Sequence, residues 1–127
     1  MTEDHNLRLL AISLQAACSY VREANDKWWR DPATGEPIIR NVGEMLMLVV
    51  SEIAEAMEGY RKGLMDDHIP SRPMIEVELA DAIIRIMDIS GGLGLDLAGA
   101  WEDKMKYNKS RHDHTFEARL AEGGKKF

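Results

Sequence analysis

The sequence predicts an all-α protein with four main helices. In its long segments, apolar residues recur at alternating steps of three and four, which is the period of a helix face. Loop-forming stretches at residues 31–37 and 63–72 separate these segments, and no strand-like alternation of useful length occurs. The 127 residues, 45% of them apolar, have the length and composition of one globular domain. We therefore expect a single domain over residues 1–127, with a polar tail from about residue 111.

The first two helices are predicted from their apolar faces. The first covers residues 4–29, which contain no glycine or proline. Its apolar face consists of Leu7, Leu10, Leu14, Ala17 and Val21. Asn41 is predicted to cap the second helix, which runs to about residue 60 or 61. The apolar stripe of this second helix is predicted to face the core, and it consists of Leu46, Val50, Ile53, Met57 and Tyr60.

Sequence signals also predict where the third and fourth helices begin and end. Ser71 is predicted as the N-cap of the third helix, with Pro73 in its first turn. The pair Gly91-Gly92 is predicted to end that helix as a C-cap. The fourth helix is predicted from about residue 96 to residue 110.

Charge and composition exclude several classes of partner. The net charge of −6 argues against a general nucleic-acid surface, which needs a basic patch. No apolar run approaches the roughly 20 residues that span a bilayer, and the N-terminus lacks a signal-peptide pattern. Cys18, the only cysteine, cannot form an intramolecular disulfide. We expect a cytoplasmic protein that binds neither nucleic acid nor membrane.

Two acidic pairs are the main candidates for chemistry. Glu52 and Glu55 lie three residues apart on the second predicted helix, and Glu78 and Asp81 have the same spacing on the third. This spacing puts both carboxylates of a pair on one helix face, within segments that otherwise have the pattern of buried helix. Crowding buried carboxylates is costly unless a cation neutralises them, and oxygen ligands suit Mg²⁺. The pairs therefore indicate a divalent-metal site between two helices.

The acidic pairs allow two other interpretations. Acids at this spacing are common on solvated helix faces and need have no function. A ferritin-like di-iron bundle would carry Glu-x-x-His motifs, and neither pair has a histidine three residues on. A largely polar stripe on the third helix runs on from the second pair through Arg85 and Asp88.

Further residues suit a phosphorylated ligand. Lys104, Asn108 and Arg111 share one face at the end of the fourth helix, where lysine and arginine can bind phosphate. An ordinary basic final turn that complements the helix dipole remains the alternative. Trp28 and Trp29 could stack on a nucleobase or could cap the core, and the sequence leaves both open.

These motifs resemble a known family. The two acidic pairs, with 22 residues between them, and the segment 104–111 resemble the signature of the MazG-like superfamily of all-α nucleoside triphosphate pyrophosphohydrolases. The resemblance covers about residues 20 to 112. It implies a four-helix bundle that forms a homodimer or homotetramer with active sites partly at subunit interfaces. It also implies hydrolysis of a (deoxy)nucleoside triphosphate to the monophosphate and pyrophosphate, with Mg²⁺ or Mn²⁺.

The resemblance assigns roles to the candidate residues. It implies that the metal ligands are Glu52, Glu55, Glu78 and Asp81. It implies phosphate or nucleotide contacts for Lys104 and Asn108, and a base contact for Trp28 or Trp29. Arg85 occupies a position where the deoxycytidine triphosphatase-like branch would carry a tyrosine that contacts the sugar.

The resulting hypothesis is metal-assisted hydrolysis between the α- and β-phosphates. Glu52 or Glu55 would orient or deprotonate the attacking water, which the metal makes more acidic. Lys104, with Arg111 or Arg85, would offset charge on the departing pyrophosphate. Three alternatives stay open: a phosphoribosyl-ATP pyrophosphohydrolase, a non-catalytic helical oligomer that binds nucleotide or metal, and a structural helical adaptor.

Overall fold

A computed structural model describes residues 2–111 and 115–127 of the chain, and no strand occurs among them. The all-α prediction is therefore confirmed. The α-helices are α1 (Glu3–Ala24), α2 (Val42–Lys62), α3 (Met74–Leu93), α4 (Leu97–Ser110) and the short α5 (Phe116–Leu120), with a 3₁₀ helix at Asp26–Trp29. None of the described helices combines the length and apolar character needed to cross a bilayer. The chain divides into two compact units, one formed by Ala17–Leu95 and the other by the flanking segments.

The ends of α2 follow the prediction, whereas the end of α1 does not. Asn41 caps α2 by accepting a hydrogen bond from the backbone N–H of Glu44. The first helix was predicted to continue to residue 29, but α1 ends at Ala24 and the chain tightens into the 3₁₀ helix. Within this turn the Asp26 carboxylate accepts hydrogen bonds from Arg22 and Arg30. The tighter winding accompanies burial of Trp29, which local periodicity could not indicate.

Both predicted ends of the third helix are wrong. Ser71 is not the N-cap, because residues 65–73 form a closed loop and Pro73 directly precedes α3. The helix passes through Gly91-Gly92 and ends at Leu93, followed by Gly94 in the left-handed conformation (φ 66°). A Cβ on Gly92 would overlap the ring of Trp29. The glycine pair therefore allows close packing against the tryptophan and does not terminate the helix.

The core of the Ala17–Leu95 unit lies between α2 and α3. Trp29, Met45 and Ile89 form its buried apolar cluster. Small residues of α2 are buried as well, and a Cβ on Gly59 would come within 2.7 Å of the Met74 side chain. Close approach of the two helices therefore depends on a small residue at this position.

The apolar stripe of α2 does not face this core, so that prediction is wrong. The exposed fractions of its residues lie between 47% for Ile53 and 73% for Tyr60. The buried positions of α2 are instead Met45, Glu52, Ala56 and Gly59. Two faces of α2 share the helical period, and the face that packs against α3 includes the small residues Ala56 and Gly59. The larger apolar residues remain at the surface of the chain.

Candidate metal centre

Three of the four predicted metal ligands meet between α2 and α3. One carboxylate oxygen from each of Glu52, Glu55 and Glu78 lies within 4.8 Å of the others. Glu52 and Glu78 are buried, whereas Glu55 is exposed. Asp81 is outside this group but lines the cavity beside Glu52. The i, i+3 spacing on α2 and the packing of α3 against it together produce the cluster.

The carboxyl group of Glu78 has a strongly raised pKa. Burial, with Glu52 and Glu55 close by, raises the pKa of its carboxyl group to about 8. Its Oε2 is buried and has no hydrogen-bond partner among the described residues. Leaving such an acceptor without a donor costs free energy, and a bound cation would remove that cost. The orphaned oxygen and the three convergent carboxylates therefore fit a hard divalent cation such as Mg²⁺.

The pKa values of the two carboxyl groups beside Glu78, those of Glu52 and Asp81, are shifted in opposite directions. Burial by itself raises the pKa of Glu52, but hydrogen bonds with Glu78 and Arg85 outweigh it and leave this pKa below its usual value. The pKa of Asp81 is raised, first by burial and then by the charge of Glu52, while Arg85 opposes the shift. Arg85 Nε lies 2.8 Å from Glu52 Oε1 and forms an ion pair across the two helices. Arg85 therefore supplies positive charge directly to the cluster.

A cavity of about 460 Å³ adjoins the acidic cluster. Cavities of roughly 300–1,000 Å³ are typical of small-molecule sites. Its walls combine acidic, basic, aromatic and aliphatic side chains. They are Asn25, Trp28, Arg40, Leu48, Glu52, Asp81, Ile84, Arg85 and Asp88. The cavity can therefore offer both a charged surface and a flat aromatic face to one ligand.

The two adjacent tryptophans lie in different environments. Trp28 is 61% exposed and lines the cavity, with Lys27 Nζ 5.1 Å from the centre of its ring. Trp29 is buried in the core and donates a hydrogen bond from Nε1 to Asp88 Oδ1 at 3.0 Å. The guanidinium groups of Arg22 and Arg40 each lie 5.0 Å from the Trp29 ring centre. Of the two, Trp28 is the tryptophan that a ligand in the cavity can reach.

The predicted phosphate-binding residues of α4 belong to the other unit. Lys104 and Arg111 both lie over the ring of Tyr107, at 4.7 and 5.6 Å from its centre. Asn108 Oδ1 is buried and lacks a hydrogen-bond partner among the described residues. The contact of Lys104, Asn108 and Arg111 with phosphate stays a prediction.

Five cavity residues were absent from the predicted site, namely the aliphatic Leu48 and Ile84 and the polar Asn25, Arg40 and Asp88. Asp88 lies on the polar stripe that continues from Asp81 and Arg85, and this position could have indicated it. Asn25 and Arg40 flank the first loop region and share no pattern with the acidic pairs. Only the tertiary structure brings these two residues to the cavity.

Comparison with known proteins returns no match among protein-family models, curated proteins or solved structures. The MazG-like resemblance therefore stays a prediction, and it rests on the motif residues alone. The site itself is described by the carboxylate cluster and the adjoining cavity.

Proposed function

We propose that the chain is a metal-dependent nucleoside triphosphate pyrophosphohydrolase of the MazG-like type. The observation that carries this proposal is the cluster of Glu52, Glu55 and Glu78, with the unpaired buried Oε2 of Glu78, beside a cavity of about 460 Å³. A cation site next to a cavity with an aromatic wall suits a triphosphate that carries a base. The motif resemblance supplies the reaction, which releases the nucleoside monophosphate and pyrophosphate.

The acidic cluster would hold Mg²⁺, or Mn²⁺ in its place. The ligands would be Glu52, Glu55 and Glu78, with Asp81 alongside. Bound there, the cation would neutralise phosphate charge and acidify a coordinated water. Glu55 is the better candidate for the general base, because it is exposed whereas Glu52 is buried and accepts a hydrogen bond from Arg85.

The cavity would hold the nucleoside and its phosphates. Trp28 offers an exposed ring on which a base can stack. Arg85 has a guanidinium group that suits phosphate. Lys104, Asn108 and Arg111 would add phosphate contacts from α4, as the motif resemblance implies.

The proposal includes assembly of a MazG-like helical bundle from two or four copies in the cytoplasm. The exposed stripe of α2 supports association, because Val50, Ile53 and Met57 are each about half exposed or more. Contiguous exposed apolar surface of this kind is typical of protein interfaces. A second copy that covered this stripe would give it the burial that α3 does not provide.

One assay tests the proposed activity. Pyrophosphate release is measured with all dNTPs, common modified dNTPs, NTPs and phosphoribosyl-ATP, with and without Mg²⁺. Glu52→Gln should lower turnover by roughly a hundredfold or more while helicity is unchanged. Glu58→Gln is the matched control, since Glu58 lies on the same helix and pairs with Lys62.

Each other outcome contradicts the proposal in a distinct way. Exclusive hydrolysis of phosphoribosyl-ATP would identify the histidine-biosynthesis reaction. Binding of Mg²⁺ and nucleotide without product would indicate a non-catalytic binding protein. Near-normal turnover by Glu52→Gln would show that the acidic cluster takes no part in the reaction.

A further inference from the structure

Arg85 connects the two helices that carry the acidic cluster. From α3 its Nε donates to Glu52 Oε1 on α2 at 2.8 Å. The Glu52 side chain is 10% exposed, whereas that of Arg85 is 38% exposed and lines the cavity. Among the described residues no second hydrogen bond engages the guanidinium group. Arg85 therefore neutralises a buried carboxylate with one N–H and has further donors that a ligand in the adjoining cavity can use.

A divalent cation and Arg85 compete for the same carboxylate. A cation bound to Glu52 would bring its positive charge within a few ångströms of the guanidinium group, whichever oxygen it used. Like charges at that separation repel strongly in a partly buried site. The ion pair thus stabilises the metal-free cluster and opposes the binding of metal alone.

A polyphosphate would reverse this opposition. Its negative charge can interact with the cation and with Arg85 at the same time, and guanidinium groups bind phosphate through paired N–H donors. Arg40, the other cavity arginine, already lies near Asp88, with Nη1 3.6 Å from Oδ2. Of the two cavity arginines, Arg85 is therefore the one that contacts a proposed metal ligand, Glu52, and also lines the cavity.

We propose that Arg85 is the built-in counter-ion of the metal-free cluster and makes metal binding depend on the triphosphate; this inference rests on the proposed function. The arginine holds Glu52 until a metal–polyphosphate complex arrives, and then contacts the phosphates. Metal alone binds weakly, and the metal–nucleotide complex binds tightly. Arg85 thus favours occupation of the centre by cation and substrate together.

Two binding measurements on the full chain test this role. Binding of Mn²⁺ alone is followed by the electron paramagnetic resonance of the free ion. Binding of the Mn²⁺ complex of an α,β-methylene nucleoside triphosphate, which cannot be cleaved at that bond, is followed by calorimetry. Arg85→Gln should bind Mn²⁺ alone about tenfold more tightly than the wild type, and the Mn²⁺–analogue complex about tenfold more weakly. A merely structural role for Arg85 would shift both affinities in the same direction.

Two control variants keep the test decisive. Arg85→Lys retains the charge and should bind Mn²⁺ alone much as the wild type does. Arg72→Gln removes one positive charge from an exposed side chain that pairs with Glu76, and should change neither affinity. Circular dichroism confirms that each variant is folded.

Failure of this inference differs from failure of the proposed function. If the wild type binds Mn²⁺ and Glu78→Gln abolishes that binding, the metal centre is supported independently of Arg85. Equal or weaker binding of Mn²⁺ alone by Arg85→Gln would then overturn the counter-ion role by itself. No binding of Mn²⁺ by any form, with or without the analogue, would overturn both proposals.

Discussion

Trp29 Nε1 donates a hydrogen bond to Asp88 Oδ1 at 3.0 Å and joins the 3₁₀ helix to α3 across 59 residues of sequence. The second Asp88 oxygen lies 3.6 Å from Arg40 Nη1. Asp88 is thus a buried carboxylate with a donor for one oxygen and a cation beside the other. Because Trp28 is the neighbour of Trp29, the bond also holds in place the segment that carries the exposed ring at the cavity.

Loss of the Asp88 carboxylate should destabilise the protein. Asp88→Ala leaves the buried Trp29 N–H without an acceptor, which costs about 1–3 kcal/mol in the free energy of unfolding. Asp88→Asn should cost less, since an amide oxygen can still accept that hydrogen bond. Urea denaturation measures both values. Glu76→Ala, which removes a more exposed carboxylate from the same helix, should cost less than either.

Glu78 should make the stability of the metal-free protein depend on pH. Its pKa rises from 4.5 to about 8 on folding, so the folded state keeps a proton that the unfolded chain releases. This contribution to stability is fully present below the unfolded pKa and is lost as the pH rises through about 8. The free energy of unfolding should therefore fall between these values, by at most about 1.4 kcal/mol per pH unit.

Denaturation in the presence of a chelator, across this pH range, tests the effect. Glu78→Gln should remove most of the slope, because glutamine does not titrate. The lowered pKa of Glu52 changes stability only below its ordinary value of 4.5. The raised pKa of Asp81 gives a slope of the same sign as that of Glu78, and Glu78→Gln retains this part. Equal slopes for the wild type and Glu78→Gln would show that Glu78 is not the titrating group.

Trp28 should contribute to substrate binding with little effect on stability. Trp28→Ala should raise KM for the best nucleotide by roughly tenfold, since stacking of one base on an aromatic ring contributes about 1–3 kcal/mol. Its free energy of unfolding should change by less than about 0.5 kcal/mol, as is usual for exposed side chains. Steady-state kinetics measures the first value and urea denaturation the second.

Tyr20→Ala is the matched control for Trp28. Tyr20 is 76% exposed and is not among the residues that line the cavity. Its removal should leave KM unchanged. An unchanged KM for Trp28→Ala as well would exclude base stacking on Trp28.

The exposed stripe of α2 should mediate association between copies. Met57→Lys places a charge on this stripe and should weaken association by about tenfold or more, as loss of a central apolar contact commonly does. Sedimentation velocity over a range of protein concentrations measures the change. Ser51→Lys adds the same charge at an exposed polar position of α2 and should have little effect. If Met57→Lys assembles like the wild type, another surface mediates association.

The local features of this chain could be predicted from sequence because their causes are local. Helical periodicity and the Asn41 cap depend on residues within one or two turns, and both predictions hold. The i, i+3 spacing of Glu52 and Glu55 likewise puts both carboxylates toward one cluster. The end of α3 could not be predicted locally, because Gly92 allows a contact with Trp29, a residue distant in sequence.

By itself, the sequence determined the all-helical class and the acidic pairs on neighbouring helices, since backbone hydrogen bonding and side-chain spacing repeat every turn. Only the tertiary structure decided which face of α2 packs against α3. It also decided that Trp29 is buried while Trp28 borders the cavity, and that Arg85 pairs with Glu52. These outcomes depend on which helix surfaces approach closely enough to bury side chains. Periodicity cannot distinguish two faces of the same period, and only the packing of the helices shows which one is buried.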